Sequence, residues 1–136
     1  MFGPHLTLDL YECNKEKLAD AELIFELLDK LPTALNLTKL TQPFVDRYSS
    51  PTPGISGFIL IGESHISIHT FVEERFASVD IFSCKNFDAK KAIDYVTRAL
   101  EPRKVEKRLF MRGKHYPADI RKAIQLALKQ REKSLP

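Results

Sequence analysis

The sequence predicts an α+β fold: a two-layer α/β sandwich in which an antiparallel sheet carries helices on one face. Three observations predict it. Segments of period two and segments of period near 3.6 follow one another in the order strand, helix, strands, helix, strand, helix. The middle strands are separated only by short turns, which makes them antiparallel neighbours. The outward positions of those strands are mixed in polarity rather than fully polar, so a second copy packed through sheets or sheet edges is the natural cover.

Each element has its own signal. Residues 5–12, HLTLDLYE, alternate strictly, with Leu6, Leu8 and Leu10 on one face and His5, Thr7, Asp9 and Tyr11 on the other. Asp20 is an N-cap for AELIFELLDKL, whose Leu23, Ile24, Leu27, Leu28 and Leu31 form one stripe, and Pro32 ends or kinks that helix. A short strand is expected over residues 37–40. The stretch TQPFVDRYSSPTPG then reads as a loop, because prolines, serines and a glycine crowd it. GFILI, HISIHTF and ASVDIFSC read as consecutive strands. Asp88 caps the helix AKKAIDYVTRAL, which ends before Pro102, and KVEKRLFMR is a further strand stopped by Gly113. Pro117 opens a C-terminal helical extension over residues 117–133, with a basic outer face.

Composition narrows the class of protein. At 136 residues, with 43% apolar and 29% charged side chains, the chain is expected to form a single domain, residues 1–136, around one core. No apolar run reaches the roughly 18 residues needed to span a bilayer, and MFGPHLTLDLYEC lacks a signal-peptide layout, so a cytoplasmic protein with no membrane partner is expected. The net charge of +3 arises largely from Arg103, Lys104, Lys107, Arg108, Arg112 and Lys114 and the tail after them. No stacking pattern or zinc-finger spacing accompanies these residues, so they read as a solvated basic face and not as a nucleic-acid surface. Cys13 and Cys84 stand apart with no CxxC, so no metal site is expected, and both are free thiols in a reducing compartment.

Residues 54–84 concentrate the reactive groups. Ser64 follows Glu63 at a strand end, where a tight turn can hold its hydroxyl near the preceding carbonyl. His69 lies five residues on, and an imidazole is the side chain best suited to move a proton near neutrality. Cys84 shares strand parity with Asp80 and Phe82, which presents it near the same surface. Taken singly, each residue reads equally as a turn serine, a structural histidine or a buried thiol.

Together, GISG, ESHISIHT, the acid Glu73 and VDIFSC resemble the pyruvoyl-dependent S-adenosylmethionine decarboxylases in their short prokaryotic form. The resemblance runs from GPHLTLDLYEC through KKAIDYVTRALEPRKV. Its core is a Glu-Ser-His, then His-Thr, then a cysteine twenty residues after the serine. It implies an S-adenosylmethionine decarboxylase-like fold, a homodimer, and a chain that makes its own prosthetic group. The Ser64 hydroxyl would attack the Glu63 carbonyl, and β-elimination from the resulting ester would leave a β chain of residues 1–63. The α chain, residues 64–136, would then begin with a pyruvoyl group. By the same resemblance His69 is the proton acceptor in processing, and Ser56 bonds the oxyanion or ester. Cys84 is the proton donor in turnover, where the substrate amine forms a Schiff base with the pyruvoyl ketone. Glu73 is expected over the sugar or adenine of the substrate, and Tyr48, with Phe44 second, stacks on the purine. The product is the aminopropyl donor of spermidine synthesis.

Two features depart from the family pattern. Phe71-Val72 replaces the usual Trp-Pro, and the loop RYSSPTPGISG is longer than the family's. Both are expected in the pocket wall, leaving nucleophile, base and acid intact. They open a second expectation, an arginine or ornithine decarboxylase on the same scaffold. A third, from another class, is a non-processing paralogue that acts as a binding partner.

Overall fold

A computed structural model describes residues 3–113, 115 and 120–134. Six strands form one antiparallel sheet in the order β2-β3-β4-β5-β1-β6: β1 Gly3–Tyr11, β2 Phe44–Tyr48, β3 Gly54–Ile61, β4 Ser64–Phe71, β5 Phe76–Phe82 and β6 Lys104–Arg112. Four helices accompany it: α1 Lys15–Leu18, α2 Ala21–Ala34, α3 Ala89–Leu100 and α4 Ile120–Ser134.

The core follows from the alternation. Leu6, Leu8 and Leu10 of β1, Ile55 and Ile59 of β3, Ile66 and Ile68 of β4 and Val79 and Ile81 of β5 are all buried on one face. Ile24, Leu27, Leu28 and Leu31 of α2, with Ala92, Val96 and Leu100 of α3, close over them. Each large aliphatic side chain so buried contributes on the order of 1.5–3 kcal/mol. Asp20 and Asp88 accept from the backbone N–H of Leu23 and Lys91, the N-caps expected of them. Thr70 is a buried polar group with both needs met. Its Oγ1 accepts from Ile55 N–H at 3.0 Å and donates to the Leu18 carbonyl at 2.8 Å.

Four local expectations are corrected. Residues 37–40 form no strand but a single bridge, Lys39 to Ile61. Phe44–Tyr48, inside the expected loop, is the edge strand β2. Five residues flanked by Pro43 and Pro51 carry too little local pattern, and pairing with β3 decides their state. Pro32 does not end α2, which runs on to Ala34, because a proline this near the C-terminus removes one ladder bond with little helix left to disrupt. β3 begins at Gly54, so GISG is part of the strand. Pro117 lies outside the described residues. Among the described residues no helix is long and apolar enough to cross a membrane.

Among the described residues the other sheet face is open, and the register arranges it in cross-strand rows. At the Ser64 end run Leu60, His65, Phe82, His5 and Phe110. Next come Phe44, Phe58, Ser67, Asp80, Thr7 and Arg108, and then Asp46, Ser56, His69, Ser78, Asp9 and Glu106. At the far end Tyr48, Phe71, Phe76 and Tyr11 form an aromatic ladder, with Lys104 over the Tyr11 ring. Phe44, Phe58, Leu60 and Phe110 are each more than 40% exposed.

Candidate active site

The turn between β3 and β4 consists of Gly62 and Glu63, and Glu63 takes a left-handed backbone conformation, φ 66°. A side chain bearing Cβ adopts that region rarely, and the site holds Glu63 there. Immediately after it, the Ser64 hydroxyl donates to the Glu63 carbonyl, across the peptide bond that joins the two residues. Cys84 approaches the same turn from β5. Its Sγ lies 3.4 Å from the Gly62 carbonyl, 3.7 Å from the Glu63 carbonyl and 3.1 Å from Glu63 Oε2. Burial, followed by the Glu63 carboxylate, raises the Cys84 pKa above that of an ordinary thiol, so at neutral pH Cys84 holds its proton.

The approach is fixed by Gly3 at the start of β1. A Cβ there would stand 1.9 Å from the Ser83 carbonyl oxygen and 2.6 Å from Cys84 Cα, so only glycine lets β1 lie this close. Cys84 itself lies two residues beyond the end of β5, not on the strand as its spacing suggested. Leaving the strand is what turns its thiol toward Glu63.

A second constellation lies farther along, on the open face. Ser56 and His69 are cross-strand partners, with Oγ and Nδ1 2.8 Å apart. They line a cleft of about 400 Å³ with Phe44, Asp46, Tyr48 and Phe58. Sequence reasoning missed Asp46 and Phe58. The signal for Phe58 was present in GFILI, where alternate residues must leave the core, but a continuous apolar run hides which ones do.

The chain does not bring the two sets together. Ser64 and His69 are five residues apart on one strand, which is about 16 Å at the rise of an extended chain. No side chain spans that distance to a hydrogen bond.

The expected substrate contacts fall at the His69 end. Tyr48 is anchored: its hydroxyl donates to the Thr70 carbonyl at 2.6 Å, and its ring covers Gly54, where a Cβ would meet the hydroxyl oxygen at 2.3 Å. Phe44 is free on its outer side and packs on Phe58, ring centroids 5.6 Å apart. Glu73 sits in the β4–β5 turn, ion-paired with Lys15 at 2.9 Å. The Phe71-Val72 pair does not line the cleft. Phe71 belongs to the aromatic ladder, and Val72 is buried and donates its N–H to the Pro53 carbonyl.

Comparison with known proteins gives one answer throughout. Residues 4–113 match the family model described as S-adenosylmethionine decarboxylase. An S-adenosylmethionine decarboxylase proenzyme of Clostridium botulinum is 40% identical over 113 residues, 82% of this chain and 95% of that protein. One of Hydrogenobaculum is 40% identical over 112 residues, 82% of this chain and 81% of its own. The crystal structure of the adenosylmethionine decarboxylase from Aquifex aeolicus superposes with a TM-score of 0.71 at 34% identity, covering 82% of this chain and 91% of that one. These relatives carry the S-adenosylmethionine name and lend no support to the amino-acid alternative. A match across most of the chain, with the expected fold beneath it, places this protein in the S-adenosylmethionine decarboxylase family.

Proposed function

We propose that this chain is a proenzyme that cuts itself between Glu63 and Ser64 and then decarboxylates S-adenosylmethionine, yielding carbon dioxide and the aminopropyl donor for spermidine synthesis. The observation that carries the reading is the Ser64 hydroxyl held on the Glu63 carbonyl, at a left-handed residue, with the Cys84 thiol on the same turn. These residues fit the formation of a pyruvoyl group. Ser64 Oγ adds to the Glu63 carbonyl carbon, the peptide C–N bond breaks as the C–O ester forms, and loss of the Ser64 α-proton expels the Glu63 carboxylate. Hydrolysis of the dehydroalanine so left gives the blocked α chain and ammonia.

A pyruvoyl group formed at residue 64 would supply a ketone to hold an amine substrate and an electron sink for loss of carbon dioxide. The remaining work falls to side chains. Cys84, kept protonated by burial and by Glu63, delivers a proton to the substrate-derived carbon. Phe44 and Phe58 offer a flat apolar wall, with the Asp46 carboxylate beside it, for a purine and a sulfonium cation. Glu73, as the chain stands, is committed to Lys15 and joins the substrate only by exchanging that partner.

His69 and Ser56 enter the reading through a second copy. With about 16 Å between Ser64 and His69 on one strand, His69 cannot take a proton at its own chain's turn. Two open faces packed together with their ends exchanged set Ser56 and His69 of one copy against Ser64 and Cys84 of the other, two sites per homodimer. Leu60 and Phe110, exposed on the open face, supply apolar area for that contact. Two free thiols, one needed as a proton donor, suit a reducing cytoplasm.

Denaturing mass spectrometry tests processing, with two fragments split at 63/64 expected and Ser64→Ala staying whole. An intact wild-type chain sinks the proposal. Carbon dioxide release from S-adenosylmethionine, set beside arginine and ornithine, tests the substrate. Turnover of an amino acid alone overturns it.

A further inference from the structure

The last helix stands outside what the family shares, since the family match ends at residue 113 and α4 begins at Ile120. Its spacing puts Ile124, Ala127 and Leu128 on one stripe, with Lys129 and Lys133 on the opposite side. Ile124 and Leu128 are 54% and 52% exposed, so among the described residues nothing covers that stripe. A helix of 15 residues is marginal in water alone, and α4 needs a surface to lie on.

A surface with the same deficit lies on the helical side of β6. The register sets Lys107 and Leu109 on the face of Leu8 and Leu6, yet Leu6 and Leu8 are buried while Leu109 is 56% exposed. Among the described residues the helical layer therefore ends before the last strand. What remains is a groove of about 570 Å³ between α3 and β6, lined by Leu6, Ala89, Lys90, Ile93, Lys107 and Leu109. The path of the chain points α4 into it. Gly3 pairs with Arg112, so β6 finishes at the end of the sheet where β1 begins, and Gly3 there abuts Ser83, shortly before α3 starts. The groove is lined by the first turns of α3 and the second half of β6, so it lies at the end where the chain leaves β6. Gly113 then takes the left-handed backbone of a turn, φ 75°. The positions from 113 to 119 can extend to about 24 Å, more than twice the roughly 10 Å between packed layers. At about 22 Å, α4 also fits along β6, which is about 30 Å long.

We propose that α4 docks in the groove between α3 and β6 of its own chain, antiparallel to β6, with Ile124 and Leu128 against Leu109 and Ile93. It is then the last helix of the layer, covering the strand that α2 and α3 leave bare, and Lys129 and Lys133 face solvent.

Amide hydrogen exchange on the full chain, read by mass spectrometry over residues 124–133, tests it with wild type and Leu109→Asp. Burial of Ile124 and Leu128 predicts that these amides exchange about tenfold or more slowly in the wild type than in Leu109→Asp, while the amides of β3, β4 and β5 exchange alike in both. Equal exchange of α4 in the two chains overturns the docking. Should Leu109→Asp fail to fold, Leu109→Ser takes its place and the same comparison decides. Which copy supplies the helix is read by cross-linking Leu109→Cys with Ile124→Cys through a short bismaleimide, in a Cys84→Ala background where the remaining Cys13 is buried. A link within one copy is expected. A link joining two copies assigns the groove to a second copy's helix and overturns the proposal, as does the absence of any link.

Discussion

If processing uses His69 of a second copy, two defective chains should repair each other, and the structure sets the yield. His69→Ala keeps a competent Glu63-Ser64 turn but lacks the base. Ser64→Ala lacks the nucleophile but keeps the Ser56–His69 pair, bonded at 2.8 Å on a different stretch of the sheet. The separation of about 16 Å along β4 is roughly five times a hydrogen-bond length, so neither chain can supply both functions locally. Expressed alone, both variants should stay whole. Co-expressed in equal amount and paired at random, about half of the His69→Ala chains meet a Ser64→Ala partner that carries an intact His69. About half of them should therefore be cut at 63/64, which intact-mass spectrometry reads directly because the two variants differ in mass. No cutting on co-expression, with His69→Ala whole on its own, would refute sharing between copies. Efficient cutting of His69→Ala alone would refute the role of His69.

Other outcomes follow from single contacts. Cys84→Ala should still be cut yet lose about 10²–10⁴-fold in kcat, the usual worth of a placed general acid, as measured by carbon dioxide release. Because the Cys84 pKa is raised, its protonated, active form persists to higher pH, so the alkaline fall of kcat should lie above the pH at which an ordinary thiol ionises. A limb at or below the ordinary value would contradict the site's electrostatics. Thr70→Val strands the Ile55 N–H and the Leu18 carbonyl and should lower stability by about 1–3 kcal/mol in urea unfolding, with no change in the position of the cut. Phe71→Trp should leave the KM for S-adenosylmethionine within a few-fold, since Phe71 does not line the cleft, whereas Phe44→Ala should raise it about tenfold or more.

The elements with long, clean periods were legible in the sequence. β1 shows strict alternation over residues 5–10, and the stripe and cap of α3 lie where the pattern puts them. What escaped were elements defined by their neighbours. β2 has five residues and no period of its own, and it exists because Phe44, Asp46 and Tyr48 find Phe58, Ser56 and Gly54 on β3. The spacing that picked out Ser64, His69 and Cys84 was legible as well, but linear proximity misled about geometry. Twenty residues separate Ser64 from Cys84, and a strand reversal brings them to one turn. Five residues separate Ser64 from His69, and an extended strand keeps them apart.

The same contrast bears on Phe71-Val72, the departure from the family's Trp-Pro. Read along the chain, the pair stands between His69 and Glu73 and looks like pocket wall. In the sheet, alternation sends its two members to opposite faces. Val72 turns into the core, where its N–H is needed by the Pro53 carbonyl, and a proline at that position would have no hydrogen to give. Phe71 turns outward into the ladder with Tyr48 and Phe76, and that ladder begins with the Tyr48 hydroxyl on the Thr70 carbonyl. The loop of residues 49–53 between β2 and β3 carries the Pro53 carbonyl and leads into the GISG strand. A proline at residue 72 would forgo the hydrogen bond to the Pro53 carbonyl that Val72 makes. The change lies behind the cleft, while Ser56 and His69 stay paired beside it and Cys84 stays on the Glu63 turn.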